Sequence, residues 1–161
     1  MAGNKKPRKA YRPKVNYANP LEAFAPIRKF ESYLIDLKIK NHAALAALVR
    51  GQATKTDMTT LVACSNMTEA LWQMGFGKEE YPDVTVEGRF ALLSVIYRYV
   101  EKGTFTPTGP EIQKLNEMME LHDEQMELCT VRDVTIAIEH ARKKIAQKNF
   151  VNLPPQLKEA A

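Results

Sequence analysis

The chain has 161 residues, 45% of them hydrophobic and 26% charged, which fits one globular domain with a modest core and excludes anything larger. No apolar run approaches the roughly 18 residues needed to cross a bilayer, and the N-terminal stretch lacks the apolar segment of a secretory signal, so a cytoplasmic location is expected. The net charge of +4 is unevenly spread: six of the 23 Lys and Arg residues fall within residues 1–14, where no acid occurs, leaving 17 bases against 19 acids in the rest.

In chain order, residues 1–18 combine charge, prolines and scattered apolar side chains, the composition of a flexible basic arm. Helical order is expected from Asn19-Pro20-Leu21-Glu22, where Asn caps, Pro takes the first helical position and Glu follows three residues after the cap. Pro26 stops or kinks that turn. Between Ile27 and Lys40 two periods compete. Ile27, Phe30, Leu34 and Leu37 suit a helix, whereas Ile35 to Lys40 alternates as a half-buried strand would. The helix is favoured, because nothing else in the chain alternates for long enough to pair with a strand.

Asn41 precedes an alanine- and leucine-rich run that Gly51 closes. The next segment begins near Thr56-Asp57 and ends at Gly75, with Leu61, Cys64, Met67, Leu71 and Met74 on one face. A third runs from about Pro82 to Gly103; its expected buried stripe is Val86, Phe90, Leu93, Tyr97 and Val100, widened by Leu92 and Ile96. Thr108-Gly109-Pro110-Glu111 reads as a capping box opening a fourth, with Ile112, Leu115, Met119, His122 and Met126 as its seam. The fifth follows Thr130, shows Val131, Val134, Ile138, Ala141 and Ile145, and ends in bases that suit the negative pole of a helix dipole. These elements predict an all-α fold, a single helical bundle of four to six helices over residues 19–149, between the arm at 1–18 and an irregular tail at 150–161.

The chain offers little for catalysis. No histidine pair lies at helical spacing, and Cys64 and Cys129 stand far apart without clustered partners, so neither a metal site nor a cofactor is expected. Gly75-Phe76-Gly77-Lys78 lacks the preceding strand of a phosphate loop and reads as a helix terminator. No serine occupies a nucleophile elbow. His122 falls on an apolar seam between Met119 and Met126; a core histidine is the simpler reading, and a small enzyme centred on His122 the alternative. Glu117, Glu120, Glu124 and Glu127 line up as an acidic stripe, with Asp123 beside it. That stripe is either a solvated face or a candidate protein-docking face.

The arm departs most from a neutral background. Lys5, Lys6, Arg8, Lys9, Arg12 and Lys14 can neutralise phosphates and release counterions, and Tyr11 can stack on a base. The partner expected through these residues is nucleic acid or an acidic protein surface. A membrane is not expected, because the prolines forbid an amphipathic anchor helix. A DNA-binding regulator using a helix-turn-helix-like unit around residues 41–75 is the runner-up, although a recognition helix starting at Thr56-Asp57 would place an acid near phosphates and carries no Lys or Arg up to its end at Gly75. Homo-oligomerisation stays open.

Lys6-Pro7-Arg8-Lys9, Lys40-Asn41-His42, Arg50-Gly51-Gln52-Ala53-Thr54, Asn66-Met67-Thr68-Glu69-Ala70 and Glu120-Leu121-His122-Asp123 together resemble small uncharacterised all-helical proteins of proteobacterial phages and mobile elements. The resemblance implies a bacterial, intracellular setting and transfers no functional residue. The sequence therefore reads as a non-enzymatic helical interaction protein with a basic N-terminal arm.

Overall fold

The computed structural model describes residues 24–27, 31–77 and 82–147. The named elements are five α-helices: α1 (Glu31–Val49), α2 (Lys55–Gln73), α3 (Pro82–Lys102), α4 (Gly109–Leu128) and α5 (Val131–Ala146). The all-α bundle expected from the sequence is thus the fold. The basic arm, the helix start at Asn19 and the tail at 150–161 lie outside the described residues.

Three helices open on the same device. Thr54, Thr108 and Thr130 each cap with the side-chain oxygen, and Asp57, Glu111 and Asp133 reach back to the cap backbone. The box at Thr108 follows the sequence expectation; the one at Thr54 starts α2 earlier than Thr56-Asp57 suggests. Two helices close on a Schellman turn. Gly51 (φ +69°) lets Gln52 N–H donate to Ala47 O at 2.9 Å, and Gly75 (φ +94°) lets Phe76 N–H donate to Leu71 O at 2.9 Å.

Two expectations are corrected. Asn41 is not a boundary: α1 runs unbroken through it, and its side chain is buried. The alternation of Ile35 to Lys40 is incidental, since Leu34 and Leu37 turn inward while Ile35 and Ile39 face solvent.

The second correction concerns α3. Its buried residues are Thr85, Gly88, Ala91, Leu92, Val95 and Ile96, whereas Val86, Phe90, Tyr97 and Val100 are 48%, 64%, 62% and 46% exposed. The helix is apolar on two faces, and the small residues mark the one that packs. A Cβ added at Gly88 would stand 2.7 Å from Met118 Cβ on α4, so close approach of the two helices requires glycine. Arg98 then secures the α3–α4 hairpin, donating to both carboxylate oxygens of Glu111 at 2.9 and 3.1 Å and to the Thr106 carbonyl in the connecting loop.

Helix α2 is the hub, touching each of the other four helices. Helices α2 and α4 run parallel, since Cys64 meets Met119 and Thr68 meets Gln125. Helix α1 runs antiparallel to α4, with Lys38 on Glu127 and His42 on Asp123. Ahead of α1, Ile27 N–H donates to Cys129 O at 2.9 Å and Val131 N–H to Ala25 O at 3.1 Å, which fastens residues 25–27 to the α4–α5 elbow. Arg132 covers the Phe24 ring at 5.2 Å.

The Gly88 contact gives a direct test. Gly88→Ala should lower unfolding free energy by about 1–3 kcal/mol despite alanine's helical preference, because neither backbone can retreat. Gly109→Ala, where the added methyl meets nothing within 4 Å, should be near neutral in the same denaturant titration.

Candidate functional site

The core is divided. One apolar cluster joins the C-terminal half of α1, the N-terminal half of α2, α3 and the start of α4, through Leu48, Leu61, Leu92 and Leu115 among others. The other joins Ile27, Leu34, Ala70, Leu71, Met126 and the inner face of α5. Along α1, α2 and α4, buried polar residues mark where one cluster gives way to the other: Asn41, then Ser65, Asn66 and Thr68, then His122 and Gln125. Gln125 braces this layer. Its Nε2 donates to the Thr68 carbonyl at 3.1 Å and to the Phe76 carbonyl at 2.9 Å, tying α4 to the end of α2.

A cleft of about 230 Å³ opens beside this layer. Lys40, Thr59 and Ala63 are exposed at its mouth, while Asn41, Cys64 and His122 are buried deeper. Met67, Met126 and Ile138 supply apolar wall. His122 is only 2% exposed, and its Nδ1 has no hydrogen-bond partner among the described residues. Burial pushes its pKa down to about 4; neighbouring Asp123 opposes that shift, and His42 and Lys38 on α1 reinforce it. At neutral pH it is an uncharged imidazole. Sequence position revealed His122 on the seam, but not the cleft, whose residues come from four helices.

The nearest thiol is unsuited to nucleophilic attack. Burial pushes Cys64 up to about 12, and its Sγ–H lies 3.7 Å from Met119 Sδ; Cys129 is likewise pushed up to about 12 by burial. Among the described residues no group of three or more His, Cys, Asp or Glu side chains is placed to hold a metal.

The acidic stripe of α4 is engaged at its two ends, by a lysine of α1 at one and by a lysine of α4 itself at the other. Lys38 on α1 bonds Glu127 at 2.8 Å and holds its carboxyl below the usual range, and Lys114 bonds both Glu117 at 3.0 Å and Glu87 of α3 at 2.7 Å. Glu120 and Glu124 are exposed between these pairs. Lys5, Lys6, Arg8, Lys9, Tyr11, Arg12 and Lys14 lie outside the described residues.

The helix that would read DNA in a helix-turn-helix is α2, and it is enclosed by the other four. Its exposed residues are Thr56, Thr59, Ala63 and Gln73, none of them basic. Among the described residues, a prominent exposed apolar surface is instead the outer face of α3, where Val86, Phe90, Tyr97 and Val100 are exposed and Leu93, half-buried against the inner cluster, completes a stripe with alternating intervals of four and three. Glu87, Ser94 and Glu101, all exposed, run along one flank of that stripe at heptad spacing.

The depressed pKa of His122 fixes a pH dependence. Unfolding lets the imidazole return towards its ordinary value near 6.5, so the unfolded chain binds the proton more readily. The contribution is complete above pH 6.5 and is lost as pH falls through about 4, a change of about 3 kcal/mol. Denaturant titrations between pH 7 and 4 should show this slope in the native chain, and it should be absent in His122→Leu.

Comparison with protein-family models, with curated proteins and with solved structures gives no match, so what the chain does must be read from its own geometry.

Proposed function

We propose that this chain is a non-enzymatic helical interaction protein that receives a partner helix on the outer face of α3. The observation that carries the reading is the apolar stripe from Val86 to Val100, displayed on an ordered helix whose other face is fully engaged. Exposed apolar surface of this continuity marks sites of association, and each large side chain buried there contributes about 1.5–3 kcal/mol. Alternating steps of four and three are the spacing with which one helix offers a seam to another.

Charge selects the occupant. Glu101 and Glu87, the latter also paired with Lys114 of α4, flank the stripe, and Asp83 is exposed at its N-terminal end, so a helix with an apolar seam and a basic edge is complementary. Two copies of α3 laid antiparallel in full overlap would set Glu87 of one against Glu101 of the other. The basic arm adds a second point of attachment, to nucleic acid or to an acidic protein surface. Its support is the segregation of six cations into residues 1–14.

A synthetic amphipathic helix with leucine on its seam and lysine on its edges should bind the full chain, and bind at least tenfold more weakly with glutamate on those edges. Phe90→Ser with Tyr97→Ser should abolish binding while leaving the circular dichroism spectrum unchanged. Equal binding of the two peptides overturns the charge complementarity. A dimer in sedimentation that the double variant dissociates identifies a second copy as the occupant instead. Tighter peptide binding after deletion of residues 1–14 identifies the arm. For the arm itself, binding to duplex DNA should fall steeply with added salt and disappear on that same deletion; salt-independent binding, or binding that survives it, removes the arm from the proposal.

A further inference from the structure

Independently of the partner helix on α3, we infer that the outer face of α1 is a self-association surface: two copies of this chain pair α1 against α1, antiparallel, about a two-fold axis near Ala43. Three observations converge on a second copy as the occupant. The first is a seam. Ile35, Ile39, His42, Ala46 and Val49 follow one another at intervals of four, three, four and three, and all are exposed except Ala46, which is half-buried. His42, the polar member of the seam, is bonded to Asp123 of α4 at 2.9 Å, so its ring is already engaged within its own copy.

The second is a self-complementary flank. Asp36, Ala43 and Arg50, all exposed, run along one side of the seam at heptad spacing, and neither Asp36 nor Arg50 has an ion-pair partner among the described residues. Antiparallel pairing lays flank against flank. Asp36 of each copy then meets Arg50 of the other, twice by symmetry, and Ala43, midway between them, meets its own counterpart at the axis, where a small side chain lets the helices approach. The same operation on α3 opposes Glu87 and Glu101, so charge selects a second copy for α1 and a basic helix for α3.

The third is relief. Ile39 is 62% exposed and stands proud of the helix. A groove of about 500 Å³ lies farther along the same face, between Leu45, Ala46 and Val49 of α1 and Ile112 and Asn116 of α4. Ile39 is four positions before Ala43, and Ala46 and Val49 are three and six after it. The two-fold that pairs the charges therefore also sets each Ile39 over the groove of the other copy. Knob and groove on one patch make an isologous contact, which closes at two copies instead of propagating.

Sedimentation equilibrium of the full chain tests the assignment and should show a monomer–dimer equilibrium. Asp36→Lys and Arg50→Glu should each weaken dimerisation at least tenfold, because each opposes like charges twice. An equimolar mixture of these two variants should dimerise with native affinity, since each chain supplies the charge that the other has lost. Ile39→Ser should weaken the dimer at least tenfold; where it fails to fold, the mixing experiment decides. Phe90→Ser with Tyr97→Ser should leave this dimer intact, which separates it from association through α3. A native chain that stays monomeric at millimolar concentration, native affinity in either charge variant alone, a mixture that stays monomeric, or a dimer lost only in the α3 variant each overturns the inference.

Discussion

The molecule depends on how it accommodates polar side chains in its middle. Two apolar clusters of similar character, one around α3 and one around α5, share α1, α2 and α4, and a layer of Asn41, Ser65, Asn66, Thr68, His122 and Gln125 lies where they meet. Buried polar groups tolerate few arrangements, because each must find a partner of correct geometry. Apolar seams alone would let α4 slide past α2 by a turn at modest cost, whereas Gln125 reaches Thr68 and Phe76 in one register only. That layer therefore sets the alignment of the two parallel inner helices, and the His122 cleft opens beside it.

Much of the fold was legible because the chain punctuates itself clearly. Thr108 and Thr130 with their acidic partners, and Gly51 and Gly75 at helix ends, are local signals that tertiary contacts did not override. The acidic stripe was legible as a pattern, and Lys114 and Glu117 are one turn apart on the same helix, but the Lys38–Glu127 pair was not legible, since a helical wheel does not say which neighbouring helix stands beside the stripe. Asn41 misled for the opposite reason. Asparagine favours helix starts because its side chain competes for backbone hydrogen bonds, yet a buried position in a polar layer uses the same amide inside a helix.

Helix α3 shows a more general ambiguity. Hydrophobic period identifies a helix and its apolar residues, but with two apolar faces it cannot say which one turns inward. The larger side chains, Phe90 and Tyr97, pointed to the wrong face. Gly88 and Ala91 were the better guide, because α3 and α4 approach too closely at Gly88 for any side chain there. His122 posed a related problem: its seam position was readable, but its unpartnered nitrogen and the cleft emerge only when α1, α2 and α5 assemble around it.

The short contact that fastens residues 25–27 to the α4–α5 elbow also works as an anchor point for everything upstream. Lys14 is ten positions before Phe24, so at roughly 3.5 Å per residue no conformation carries it beyond about 35 Å from the elbow. The same count lets Lys5, nineteen positions before Phe24, reach at most about 67 Å, so the six cations share one fixed point of attachment at graded distances. Were the proposed arm to hold a polyanion, this point of attachment would set the distance from the helical body at which it is held.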